Sequence, residues 1–169
     1  MKTAIARHFV ATAITAALVS FNTFTATAQR ASFSGEWKLD EAKSELGEFG
    51  GWVARTIKND QKDSAITVSK TTPGFNGGDP ITTTTILTYD GKIVEGEGFG
   101  GSKRKSSAKW SDDGKTLTMN STMNFERDGQ SFEIKSTEIW TITKDGFLSV
   151  VTNSTTPRGE STTKAVYTK

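Results

Sequence analysis

QSFEIKSTEIWTIT, residues 130–143, lies between two Asp-Gly pairs, at 128–129 and 145–146. Asp-Gly between apolar-rich segments is a strong hairpin signal, because a type I′ turn needs positive φ at both central residues. We therefore predict a long strand with an antiparallel neighbour on each side. Side chains alternate along a strand, and the even positions form the more apolar face. These positions are Phe132, Ile134, Ser136, Glu138, Trp140 and Ile142.

Two polar residues, Ser136 and Glu138, interrupt the middle of this predicted core face. A buried carboxylate without a partner is strongly destabilised or changes its pKa. We therefore expect a cation, a hydroxyl group or water beside Glu138, and Arg55, Lys109 and Lys164 are the candidate cations. The alternative is that Glu138 lies near a strand end or points to solvent across a β-bulge.

Turn signals also divide the rest of the chain into short segments, with further Asp-Gly pairs at 90–91 and 113–114. Residues 29–32 read as a loose lead-in, and residues 40–47 as a helix of at most two turns or, equally well, a polar loop. Alternation of apolar and polar residues predicts the strands. They lie near residues 33–39, 53–59, 64–70, 81–89, 92–97, 103–111, 116–126, 130–143, 147–153 and 160–168.

This pattern predicts an all-β fold. Short, evenly spaced strands joined by tight turns indicate an antiparallel up-and-down meander of 8–10 strands. We expect the meander to close into a barrel, because closure removes the exposed edges. A two-sheet β-sandwich is the alternative. Residues 29–169 have a length typical of one domain.

The first 28 residues have the features of a secretory signal peptide. Lys2 and Arg7 precede a mostly apolar segment, residues 9–21, and Ala26-Thr27-Ala28 has the small-x-small form of a cleavage site. We expect cleavage after Ala28 and a periplasmic or secreted location. We expect no integral membrane segment after cleavage.

Removal of residues 1–28 changes the chemistry that is available. The full chain has 21 Lys and Arg against 19 Asp and Glu, and Lys2 and Arg7 account for the formal charge of +2. Residues 29–169 are therefore formally neutral, and no nucleic-acid partner is predicted. The single histidine, His8, lies in the signal, and the chain has no cysteine. This composition excludes histidine- and cysteine-dependent nucleophiles, the usual zinc, copper and haem sites, and disulfides. We predict no cofactor and no metal.

Two local motifs, a glycine-rich segment and a basic triplet, are interpreted as structural features rather than as binding sites. Gly96, Gly98 and Gly101 match G-x-G-x-x-G, but a dinucleotide site needs a helix after this pattern. The following residues, 103–110, read as a strand, so a flexible hairpin loop is predicted instead. The basic triplet, residues 103–105, is interpreted as a solvated strand edge.

The predicted inward faces combine large aromatic residues with Thr and Ser. A solid core is filled to near-crystalline density, whereas small polar residues inside a barrel leave room for water or a ligand. The candidate ligand-binding residues are Trp37, Tyr89, Trp110, Ser136, Glu138 and Trp140.

The segment from Phe33 to Leu39, with Gly35-Glu-Trp37, resembles the Gly-x-Trp opening of the lipocalins and of the wider calycin group of ligand-binding barrels. Residues 138–142 and the terminal 166–169 are similar to those of small exported bacterial lipocalin-like proteins. The resemblance implies a calycin-type barrel with a small apolar ligand. In lipocalins an Arg of the last strand packs on this Trp. Here Arg158 precedes the predicted last strand and Lys164 lies within it.

Three functions are consistent with these patterns. The preferred one is a non-catalytic extracytoplasmic protein that binds a small, apolar or amphipathic ligand in the barrel interior. The second is a structural or protein-interaction module with a filled core, using the loops of Phe75 or Phe99. The third is an enzyme that pairs Glu138 with Glu133 or Glu126. Glycoside hydrolysis needs two carboxyl groups about 5–10 Å apart across a cleft, which these positions do not provide, so no enzymatic activity is predicted.

Overall fold

The computed structural model describes residues 29–74, 77–98, 101–127 and 129–169. The predicted signal peptide, the loop tips at Phe75 and Phe99, and Asp128 lie outside the described residues. Within these ranges, ten strands form one antiparallel sheet. They are β1 (Gly35–Leu39), β2 (Thr56–Gln61), β3 (Ala65–Thr72), β4 (Ile81–Thr88), β5 (Val94–Glu97), β6 (Lys103–Trp110), β7 (Thr116–Arg127), β8 (Gln130–Ile142), β9 (Leu148–Thr156) and β10 (Gly159–Thr168).

The sheet is a meander that curls into a nearly closed barrel. Its strand order is β4-β3-β2-β1-β10-β9-β8-β7-β6-β5, so β1 pairs with β10 and joins the two halves of the chain. The two ends of this order, β4 and β5, follow each other in sequence without pairing. We call this boundary the seam. Strand β4 still lies beside β5 and β6 across the seam. The predicted antiparallel meander and barrel are therefore confirmed, and the sandwich alternative is wrong.

Strand β8 has the bounds and neighbours that its Asp-Gly turns predict. It pairs with β7 on one side and β9 on the other. Gly129 and Gly146 have φ of 74° and 81°. The Gly146 N–H donates to the Thr143 carbonyl at 3.0 Å, so Lys144 and Asp145 are the central residues of the second turn. The predicted type I′ turn centred on Asp145-Gly146 is therefore wrong. Trp140 on the even face is fully buried. On the odd face, Glu133 and Lys135 are exposed and form a surface ion pair at 2.7 Å.

Packed aromatic side chains close one end of the barrel. We call this group the aromatic floor; it consists of Phe33, Trp37, Tyr89, Trp110 and Trp140. The ring of Phe33 stacks on Trp110 with 5.3 Å between centroids and meets Trp140 edge-on at 5.8 Å. Phe33 has no solvent exposure at all. These contacts combine a large buried apolar area with favourable ring geometry.

The segment before β1 is bound to the floor rather than loose. The Ala31 N–H donates to the Gly114 carbonyl at 2.8 Å. The Gln61 amide accepts from the Phe33 N–H at 2.8 Å and donates to the Ala31 carbonyl at 3.0 Å. The Arg30 guanidinium lies 4.9 Å from the Tyr89 ring centroid. The prediction of a loose lead-in was wrong because these partners lie in distant parts of the sequence.

The connection between β1 and β2 contains two short 3₁₀ turns, Glu41–Lys43 and Gly47–Trp52. Asp40 caps the first by accepting from the Lys43 N–H at 3.2 Å. Because the second turn extends to Trp52, β2 begins at Thr56 rather than near residue 53. Among the described residues, no helix combines the length and apolar character needed to cross a membrane.

Phe33→Ala is expected to destabilise the protein by about 3–5 kcal/mol, because it leaves a cavity among rigid aromatic rings. Urea unfolding followed by circular dichroism measures this change. Ile86→Ala is the control, since Ile86 is 59% exposed and its loss should change stability by no more than about 0.5 kcal/mol. Equal effects of the two substitutions would contradict the assignment of Phe33 to the floor.

Candidate functional site

A cavity of about 50 Å³ lies inside the barrel, against β3, β4, β6, β7 and β8. A water molecule needs about 10–15 Å³ on this scale, so the cavity has room for a few waters or for part of a small ligand. Its wall combines charged, hydroxyl and apolar side chains. They are Lys70, Arg104 and Glu138; Thr83, Thr85, Ser106 and Ser121; and Val68, Leu87 and Met119, and Asn120 completes the lining.

A row of serines crosses five adjacent strands at one level of the interior. Successive partners from β6 to β10 are Ser106, Ser121, Ser136, Ser154 and Ser161. We call this row the serine belt. The hydroxyl oxygens of Ser121 and Ser136 lie 2.9 Å apart. Five short side chains in one row leave interior space that larger residues would fill.

The composition of the interior changes within two rows. Glu138 lies in the row next to the serine belt, with Met119 and Thr152 as its cross-strand partners. The row after that contains Trp110, Leu117, Trp140, Val150 and Ala165, and belongs to the packed end of the barrel. Glu138 thus marks the boundary between the aromatic floor and a hydroxyl-lined space.

Glu138 points into the barrel and binds a lysine from the opposite wall. Its side chain is 20% exposed, and the Lys70 Nζ lies 2.5 and 2.6 Å from its two carboxylate oxygens. The Trp140 indole N–H donates to Glu138 Oε2 at 2.8 Å. The Lys70 Nζ also lies 5.5 Å from the Trp140 ring centroid. A lysine, a carboxylate and an indole therefore form one connected group.

The expectation that Glu138 needs a cation was right, but the three candidate cations were wrong. Arg55 pairs with Glu41, Lys164 pairs with Glu45 at 3.2 Å, and Lys109 is exposed. Lys70 lies 68 residues from Glu138 in sequence. Only the curvature of the sheet brings the two together, so no local pattern identifies the pair. The alternative in which Glu138 points to solvent is also wrong.

The charge of Glu138 is set by opposing effects. Burial is the strongest single influence and opposes ionisation. The charge and hydrogen bonds of Lys70, the bond from Trp140 and the charge of Arg104 act in the other direction. Together they hold the pKa of Glu138 below its ordinary value, so the side chain is a carboxylate at neutral pH.

Arg104 is the third charged residue of the wall, and its Nε is buried without a hydrogen-bond partner. It takes part in none of the salt bridges that the described residues form. The interpretation of residues 103–105 as a solvated edge is right for Lys103 and Lys105, which are exposed, and wrong for Arg104. The missed signal was the alternation of side chains along a strand. Arg104 lies an even number of residues from Ser106 and Trp110 and therefore shares their inward face.

The six predicted ligand-binding residues fall into two groups. Glu138 lines the cavity, and Ser136 lies in the serine belt bonded to Ser121. The other four residues belong to the aromatic floor, and of these Trp140 reaches the site through its bond to Glu138. Contact of any of the six with a ligand stays a prediction. The remaining three predicted residues, Trp37, Tyr89 and Trp110, are not among the residues that line the cavity.

A cation does cover the tryptophan of the Gly-x-Trp segment, and it is neither Arg158 nor Lys164. The Lys169 Nζ lies 4.9 Å from the Trp37 ring centroid. Arg158 lies in the turn before β10, and Lys164 faces outward to Glu45. The Trp37 indole N–H is satisfied by the Phe33 carbonyl at 2.8 Å.

The structure also bears on the other motifs. The residues after the glycine-rich motif, 103–110, form β6, so the helix that a dinucleotide site requires does not follow the motif. Within the described ranges, no cluster of three or more His, Cys, Asp or Glu side chains could hold a metal ion.

Neither a protein-family model nor a curated protein matches the sequence. A solved structure with a similar fold is that of zebrafish ileal bile acid-binding protein complexed with cholic acid. It is 18% identical, the match covers 81% of this chain and 98% of the zebrafish chain, and the TM-score is 0.49. A similarity of this size does not identify a ligand.

Glu138→Gln is expected to lower the free energy of unfolding by about 3 kcal/mol near neutral pH, because it leaves Lys70 inside without its counter-charge. The pKa of Glu138 is depressed in the folded state. Its ionised form therefore stabilises the fold above the ordinary pKa, and this contribution is lost as pH falls through the depressed value. The difference between wild type and variant should shrink on acidification, as measured by urea unfolding across that range.

Glu133→Gln is the matched control on the outer face of the same strand. Its exposed pair with Lys135 should contribute about 0–1 kcal/mol. A Glu138→Gln effect as small as that of Glu133→Gln, or one independent of pH, would contradict the stabilising role of the Lys70–Glu138 pair.

Proposed function

We propose that this protein binds a small, partly apolar ligand in the barrel interior and catalyses no reaction. The observation that supports this most directly is the cavity wall. It combines apolar Val68, Leu87 and Met119 with hydroxyl groups and with Arg104, whose buried Nε has no protein partner. Buried polar groups are normally hydrogen-bonded within the protein or to water. An interior that retains space beside such a group is suited to a ligand.

The size of the cavity supports a ligand that is only partly enclosed by it. Toward the β7–β8 turn, half-buried apolar side chains continue the inward faces of these strands beyond the serine belt: Met123, Phe125, Phe132 and Ile134. The rings of Phe125 and Phe132 stack with 5.4 Å between centroids. A ligand that enters the cavity with one end would cover these side chains with the other.

The chemistry of the site supports binding rather than catalysis. Residues 29–169 contain neither His nor Cys. Lys70 and Trp140 donate hydrogen bonds to the Glu138 carboxylate and keep it ionised. Glu138 therefore has no proton to donate as a general acid. Glu126 and Glu133 are exposed on the opposite face of the sheet and cannot pair with Glu138 inside the barrel.

The second candidate is a protein-interaction module with a filled core. The small cavity and the tightly packed aromatic floor favour it. The two candidates differ in one measurable property, which is whether a small molecule enters the interior.

We also propose that the protein is an exported, lipocalin-like protein. The support for export is the positively charged start, the apolar segment and the Ala26-Thr27-Ala28 site. The support for lipocalin likeness is Gly35-x-Trp37, with Trp37 at the closed end of the barrel beneath a cation. N-terminal sequencing of the protein secreted or exported by a bacterial host should begin at Gln29, whereas a retained Met1 would contradict cleavage.

Ligand binding is expected to change intrinsic tryptophan fluorescence, since Trp140 bonds directly to the cavity wall. Titration with medium-chain lipids and hydroxylated aromatic compounds measures the affinity. Ser121→Leu should weaken binding by at least about tenfold, because it fills space at the serine belt. Thr122→Leu places the same side chain on the outer face of β7 and is the control. No response from wild type, or equal affinities in the two variants, would contradict an interior site.

A further inference from the structure

We infer that Arg104 binds an anionic group of the ligand, a carboxylate or a similar oxyanion, and that the ligand is therefore a small amphipathic acid. This inference deepens the proposed function and rests on it. It adds the chemical class of the ligand and the residue that recognises it.

The charges of the cavity wall support an anion. Lys70 and Glu138 are bonded to each other at 2.5 and 2.6 Å and neutralise one another. Arg104 remains as an additional cation, with its Nε buried and without an acceptor. Glu138 is the only acidic side chain among the described residues of the wall, and the charge of Arg104 also acts on it. One carboxylate therefore faces two cations, and a positive charge remains in the wall that a ligand anion would neutralise.

The geometry of arginine and its surroundings suits an oxyanion. A guanidinium group presents several N–H donors in one plane and binds carboxylates through two parallel hydrogen bonds. The hydroxyl groups of Ser106 and Ser121 lie on the same wall and can donate further bonds. Thr83 and Thr85 face this wall from β4, across the seam. An anion at Arg104 is therefore surrounded by donors on both sides of the seam.

The position of Arg104 also orients the rest of the ligand. Its partner on β7 is Met123, and the partner of Met123 on β8 is Ile134. The next inward pair on these strands is Phe125 with Phe132. The inner surface is thus apolar from the level of Arg104 toward the β7–β8 turn, which places the acid group inside and the apolar part toward the turn.

Matched pairs of acids and alcohols test this inference in the chain from Gln29 to Lys169, which the proposed cleavage leaves. Isothermal titration calorimetry compares octanoate with octanol and phenylpropionate with phenylpropanol, with acetate as an acid that lacks an apolar part. Each acid should bind at least about tenfold more tightly than its alcohol, and acetate should bind much more weakly than octanoate. Arg104→Gln should abolish the preference for the acids, and Arg104→Lys should retain part of it.

Lys103→Gln is the control, because it removes the same charge from an exposed neighbour on β6 and should keep the preference. A second measurement is the melting temperature of the ligand-free protein. Arg104→Gln should leave it unchanged or raise it, because the substitution removes a buried Nε that has no hydrogen-bond partner. A lowered melting temperature together with an unchanged preference for acids would assign Arg104 a structural role and overturn the inference.

The possible results separate the inference from the proposed function. Equal binding of acids and alcohols would overturn the role of Arg104 and leave an interior binding site. Equal binding of acetate and octanoate would overturn the amphipathic class. Failure of every compound to bind the folded protein would overturn both the inference and the proposed function.

Discussion

The interior of this barrel depends on the bond between Lys70 and Glu138. It connects β3 to β8, which are well separated in the strand order, and it places two opposite charges where apolar side chains would otherwise meet. Two charges at this depth are tolerated only because they neutralise each other and because the Trp140 indole satisfies one carboxylate oxygen. The pair therefore fixes the distance between opposite walls and prevents the aromatic floor from extending through the whole barrel.

Above this pair, the serine belt keeps the interior open. Large side chains at Ser106, Ser121 and Ser136 would fill this space, as Trp110, Leu117 and Trp140 do two rows away. The floor gives the molecule its rigid end, since Phe33 contacts two tryptophans in a fully buried position. Stability and binding capacity thus reside in different layers of the same sheet. Substitutions in one layer can be used to study the other.

Much of the fold can be predicted from the sequence because the relevant signals are local. The Asp-Gly turns and the alternation of residues define β8, its neighbours and its inward face, and closure follows from the number of strands. The site is less accessible, since its contacts join distant residues. The alternation of side chains could have identified Arg104, which shares a face with Ser106. Its position in a basic triplet indicated solvent exposure instead. The pairing of Lys70 with Glu138 could not be predicted from the sequence, because only the curvature of the sheet brings the two residues together. The anchoring of residues 31–33 beneath the barrel could not be predicted either, because it depends on where the fold places Gly114.

The seam leaves two edges in a sheet whose other strands are paired on both sides. Strand β4, with the sequence ITTTTILT, carries no charge and is rich in β-branched residues. Natural edges are usually protected by charges, prolines or bulges against pairing with another chain. Here the protection is the proximity of β5 and β6. A ligand held between Arg104 and the threonines of β4 would strengthen contact across the seam. Because a ligand that binds only the native state favours that state, occupancy would also oppose aggregation through β4.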